Sequence, residues 1–132
     1  MLSERWWPAV GDTLQGLWTH EGDRSAQIAV VLTGRDRIHA LNRDFREKDR
    51  PTDVLTFDLS DSSDRVEDEI YLSVPVATDQ AHDAGVSLDE ELSRLVIHGF
   101  LHLAGYDHHT PLDGRKMAAA TRRWLADIHH VA

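Results

Sequence analysis

Apolar residues at Ile38, Leu41 and Phe45 recur at i, i+3 and i+7, which predicts a helix from Arg35 to about Glu47 with one face toward a core. Just before it, Gln27 to Thr33 is a β-branched apolar run closed by Gly34, the pattern of a buried strand. Pro51 interrupts the helical spacing, Thr52 to Leu59 reads as a second strand, and alternation from Glu69 to Val74 predicts a third. Ser3 to about Trp18 has helical spacing despite Gly11 and Gly16. Pro75 suits the first position of a short helix that Gly85 would stop. Ser87-Leu88-Asp89-Glu90 is a capping-box signature, so the long apolar segment after it is expected to be a helix ending at Gly105. Leu112 to about His130 closes the chain as a helix with Met117, Trp124, Leu125 and Ile128 in one stripe. There are too few strand–helix alternations for a doubly wound sheet, so the expected class is α+β, a small mixed sheet packed with helices.

A length of 132 residues fits one domain, expected to span residues 1–132, and the chain carries no repeat or linker. Its longest apolar runs, Trp6 to Val10 and Ile28 to Leu32, fall far short of the ~20 residues needed to span a bilayer. The stretch from Met1 to Trp7 has no basic region leading into an apolar core, so no secretory signal and a cytosolic location are expected. With no cysteine, a disulfide framework, a thiolate nucleophile and Cys-ligated zinc are excluded, and a metal site would have to draw on the 9 histidines and the carboxylates. A formal charge of −9 argues against a protein that coats nucleic acid non-specifically. The charge is nonetheless polarised. Arg35, Arg37, Arg43, Arg46, Lys48 and Arg50 make one segment locally basic, while Asp58 to Glu69 is acidic and reads as a solvated loop.

The chemistry lies in His98-Gly99-Phe100-Leu101-His102-Leu103-Ala104-Gly105-Tyr106-Asp107-His108. At about 100° per residue, His98 and His102 project from one side of a helix, one turn apart, as two ligands of one ion would. Gly105 can turn the chain back so that His108 returns as a third imidazole. This is the histidine spacing of the metzincin pattern, but Gly99 stands where that pattern has its glutamate base. Three imidazoles leave a tetrahedral ion one open position for water, whose pKa zinc lowers to about 7, so the implied reaction is hydrolysis. Buried imidazoles need partners, and one cation satisfies all three, which weighs against reading them as ordinary core histidines. His20, His39, His82, His129 and His130 read as surface residues, and His109 as an alternative to His108. Asp107 either orients a ligand imidazole or caps the turn. Asn42 lies inside the apolar arc of its helix and Arg46 one turn on at its edge, so both are expected to point toward a cleft; Arg46 either holds a phosphate or pairs with Glu47 or Asp49, and the three histidines favour phosphate.

The His98 to His108 run resembles the H-G-x-L-H-L-x-G-Y-D-H signature of the YbeY family, and Leu41 to Phe57 resembles that family's L-N-x-x-Y-R-x-K-D-x-P-T-D-V-L-S-F block. The likeness extends from about Gln27 to Trp124. It implies a zinc-dependent, single-strand-specific endoribonuclease of the bacterial cytosol, acting in maturation of the 3′ end of small-subunit ribosomal RNA and in ribosome quality control. It also implies a fold similar to the zincin core with a metal-binding helix. Carried over by position, His98, His102 and His108 would hold one zinc ion, Arg46 would be the functional arginine and Lys48 an auxiliary. The partners so implied are RNA and the small ribosomal subunit, with no membrane; nothing in the sequence specifies an oligomeric state. Departures are Phe45 for tyrosine, Thr56 for serine, Asp68-Glu69-Ile70 for Gly-Asp-Ile, and an N-terminus without the family's first strand.

Two other readings use the same histidines. A metallopeptidase or amidase would need a carboxylate base, which Gly99 removes, leaving Glu91 about two turns away. A non-catalytic ribosome assembly factor would use the metal only to stabilise its fold. Nickel or copper would also suit three imidazoles.

Overall fold

The computed structural model describes residues 2–22, 26–58 and 66–131. It is α+β, in the order α1 (Trp6–Glu21), β1 (Ala26–Thr33), α2 (Arg35–Arg46), β2 (Val54–Asp58), β3 (Val66–Ser73), α3 (Val74–Ala84), α4 (Leu88–Leu103) and α5 (Pro111–Val131). The sheet order is β1-β3-β2. β1 runs parallel to β3 from the Ala26–Val66 pair to Thr33–Ser73, and β2 runs antiparallel to β3 from Val54–Leu72 to Asp58–Asp68. The sheet is therefore mixed, as expected. No helix among the described residues is long and apolar enough to cross a membrane.

The central strand is covered on both faces, so Ile70, Tyr71, Leu72 and Ser73 are all buried in an unbroken run. On one face, Ile70 and Leu72 join Val10, Leu14 and Leu17 of α1, Leu95 and Leu101 of α4, and Met117 and Trp124 of α5 in the main core. On the other, Ile38 of α2 packs with Leu55 and Tyr71 in a smaller cluster. Helix α1 buries Trp6, Val10, Leu14 and Leu17 along one stripe, and that burial outweighs the propensity cost of its two internal glycines. The Trp6 indole donates to Ser93 Oγ at 2.9 Å and to the Asp89 carbonyl at 3.1 Å, docking the start of α1 on the start of α4.

The boundaries differ most from expectation in α1, which begins at Trp6 rather than Ser3, and in β3; β2 begins at Val54 rather than Thr52. Helix α1 continues past Trp18 to Glu21 and ends at Gly22. β3 begins at Val66 rather than Glu69, so the last part of the segment read as a solvated acidic loop is paired strand, with Asp68 buried; residues 59–65 lie outside the described residues. Pairing with β1, and at Asp68 with β2 as well, overrides the local preference of acidic residues for loops.

Helix α4 lies against the sheet at Gly99. A Cβ there would stand 3.1 Å from both Ile70 Cδ1 and Cγ2 and 3.4 Å from Thr56 Cγ2. Ser87 caps this helix, accepting from the Glu90 amide at 3.1 Å, as the sequence signature requires. Because Ile70 is itself fully buried, the Gly99→Ala substitution is expected to cost about 1–3 kcal/mol. The measurement is the urea midpoint; an unchanged midpoint would mean that β3 gives way freely.

Candidate active site

His98 and His102 leave α4 on the same side, one turn apart, next to the Gly99 position that packs on the sheet. The helix stops as predicted, although its last helical residue is Leu103. The Gly105 amide donates to the His102 carbonyl at 3.1 Å, and the Tyr106 amide to the Leu101 carbonyl at 3.0 Å. With Gly105 at φ 108°, this is a Schellman stop, a conformation that suits glycine. The Tyr106 hydroxyl then donates to Glu21 Oε2 at 2.7 Å, pinning the turn to the end of α1 and raising the phenol's pKa. Beyond that pin the chain brings His108 back, its ring centroid 6.2 Å from that of His98.

The donor set is all imidazole. Burial, followed by His108 and Arg46, holds His102 below the ordinary imidazole pKa; burial also lowers His98, against an opposing pull from Asp53. Both are thus biased toward the neutral form that ligates metals. Two imidazoles on one tetrahedral zinc have ring centroids about 5 Å apart, given Zn–N bonds of about 2.0–2.1 Å. The His98 and His108 rings are wider than that, and among the described residues no three His, Cys, Asp or Glu side chains are gathered closely enough to hold an ion. His102 and His108 are exposed. The residues fit the ion in donor chemistry and in sidedness on α4.

Arg46 reaches the same place from the other side of the sheet. Its Nη2 donates to the Thr56 carbonyl, its guanidinium carbon lies 5.0 Å from the Phe57 ring centroid, and its charge acts on His102. The alternative ion pair is not made: Asp49 pairs instead with His39 at 2.7 Å. Asn42, one turn earlier, does not face a cleft. It is 3% exposed and donates from Nδ2 to the Arg50 carbonyl at 2.9 Å, tying down the segment after α2. Lys48 is exposed on that segment, its amide donating to the Asn42 carbonyl at 3.2 Å.

Two residues near His98 carried no role in the sequence reading. Asp53 acts electrostatically on His98 and Arg94 while accepting from the Val54 amide at 2.8 Å and the Gln80 amide group at 3.3 Å. Arg94, four residues before His98 on the same helix, donates from Nε and Nη2 to the two oxygens of Glu91, each at 2.8 Å. That i, i+3 pair was the available signal. Arg94, His98, His108, Met117, Thr121 and Arg122 line an open cavity of about 490 Å³.

The remaining histidines behave as surface residues where described: His20, His82 and His109 are exposed, and His39 is the half-buried partner of Asp49. His129 and His130 lie beyond the described side chains. Asp107 caps the turn, accepting from the His109 amide at 3.3 Å, a bond that lowers its pKa. Glu69 accepts from the Tyr71 hydroxyl at 3.2 Å, on the α2 face of the sheet.

The chain matches the model of the family described as endoribonuclease YbeY over residues 4–129. The protein named endoribonuclease YbeY from Brevibacillus brevis is 42% identical over 118 residues, covering 77% of this chain and 74% of the relative. Its namesake from Bacillus mycoides is 38% identical over 106 residues, covering 72% and 68%. The solution structure of a Thermotoga maritima protein superposes with a TM-score of 0.68 at 31% identity, covering 97% of this chain and 84% of that one.

The stop at Gly105 sets where His108 returns. Gly105→Ala forces a side chain into the positive-φ region and should lower stability by about 1–3 kcal/mol. Thermal and urea unfolding read this directly, and a variant as stable as the parent would show that the turn relaxes to negative φ.

Proposed function

The chain belongs to the endoribonuclease YbeY family, and on that premise we propose that it is a single-strand-specific, metal-dependent endoribonuclease of the bacterial cytosol, one catalytic domain over residues 1–132. Its substrate is ribosomal RNA of the small subunit, cleaved in maturation of the 3′ end and in ribosome quality control. His98, His102 and His108 would hold one zinc ion on α4 and the turn after it. When bound, the ion supplies Lewis acidity at the scissile phosphate and a nucleophile from water at neutral pH.

The observation that carries this reading is Arg46. Its guanidinium comes from α2, packs on Phe57 of β2 and donates to the carbonyl of Thr56, whose side chain lies against Gly99 of α4 beside His98, so the two sequence blocks meet across β2. With one N–H engaged by the Thr56 carbonyl, Arg46 keeps donors for two phosphate oxygens. It neutralises the charge that grows on those oxygens as water attacks, and its contact with Phe57 holds it there beforehand. Lys48 contributes positive charge along the RNA backbone.

The peptidase alternative loses Glu91, the base the sequence left it. Glu91 is 4% exposed with both oxygens engaged by Arg94, and Gly99 has no room for a carboxylate-bearing side chain.

Arg46→Ala is expected to reduce turnover of a single-stranded RNA oligonucleotide by about 10²–10³-fold, and His98→Ala to abolish it, with far-UV circular dichroism unchanged in both. Chelation should abolish cleavage by the parent protein, and added zinc should restore it. Cleavage by the His98→Ala variant at the parent rate overturns the assignment.

A further inference from the structure

Phe45 is 62% exposed, more than Trp7, Leu32 or Leu112, the other exposed large apolar residues among those described. A lone exposed apolar side chain means little. The surroundings of this one set it apart. The Phe45 ring meets Phe57 edge to face, at 5.5 Å and 79°, and Phe57 meets Tyr71 the same way at 5.7 Å and 87°. The Arg46 guanidinium lies on Phe57 as well. Phe57 is thus a shared floor for an exposed aromatic ring and a phosphate-sized cation donor, consecutive in sequence. The helix that carries both ends at once, with Glu47 in the left-handed conformation at φ 57°.

Resting on the endoribonuclease reading, we propose that Phe45 is the platform on which a base of single-stranded RNA stacks while Arg46 takes an adjoining phosphate. The pairing of an open π-face with a fixed cation suits a splayed nucleotide, which offers a flat base and an anion a few ångströms apart. A base inside a duplex has both faces covered by its neighbours, so it cannot use this platform until it is unstacked. Selection for single strands follows from Phe45 without any base-edge contact. Phenylalanine has no hydrogen-bonding group, so it reads the face of a base and not its identity. Phe45 therefore acts in substrate positioning and strand selection, and Arg46 in the chemistry.

The test is binding of a short fluorescein-labelled single-stranded RNA by anisotropy, with chelator present so that no strand is cut. A second strand of equal length carries abasic riboses. Phe45→Leu keeps apolar cover over Phe57 but removes the aromatic face, and Phe45→Tyr keeps the face. Phe45→Leu is expected to weaken binding of the intact strand about 5- to 150-fold, the range for loss of one stacked base, while Phe45→Tyr binds as the parent does. On the abasic strand, parent and Phe45→Leu should bind alike, and their unfolding midpoints should agree closely. Equal binding of the intact strand by parent and Phe45→Leu overturns the stacking role alone, as does an equal loss on both strands. A parent protein that neither binds nor cleaves single-stranded RNA overturns the parent reading and the platform with it.

Discussion

Helix α4 rests on the sheet so closely that a methyl group at Gly99 would have to displace Ile70 by a few tenths of an ångström. With Gly99 against Ile70 and Thr56, the rotation of the helix about its axis is set, because any other face would present a larger side chain to β3. At about 100° per residue, His98 and His102 then fall together on the margin of the interface rather than under it. They are desolvated enough to favour neutral rings and open enough to meet a ligand. Glycine at this position is thus a packing requirement, and the absence of a carboxylate beside the first histidine is its chemical result.

Most of the architecture was legible because its punctuation is chemical. Gly34, Pro75, Gly85, Ser87 and Gly105 each bound an element where the structure bounds it, within a residue or two, since caps and stops depend on local conformation alone. What was hidden depends on tertiary pairing. What marks Val66 to Asp68 as strand is pairing with β1, joined at Asp68 by β2, and neither partner is visible in the local sequence. Asn42 misled for the same reason. Its place on the apolar arc was read correctly, but the partner that keeps it inside, the Arg50 carbonyl, comes from a segment with no regular structure.

Of the proposed site, the histidines and Arg46 are the part that spacing singles out, and their surroundings are the part it does not. Spacing along one helix reports His98 and His102, and a glycine stop reports His108. The influence of Asp53 on His98 crosses from the segment before β2 to α4, which no periodicity encodes. The overall charge of −9 also conceals a mixed local field, because Arg46, Arg94 and Arg122 lie near the histidines together with Asp53, Asp107 and the Glu91 that pairs with Arg94. Long-range attraction of a polyanion is therefore weak, and short-range capture dominates.

The hydroxyl of Tyr106 on Glu21 divides the three imidazoles into two kinds. Two are rooted in a rigid rod, and the third hangs beyond a hinge moored to the far end of α1. On the proposed reading, in which these imidazoles would hold one ion, the reach of the third would be set by how firmly α1 holds its mooring.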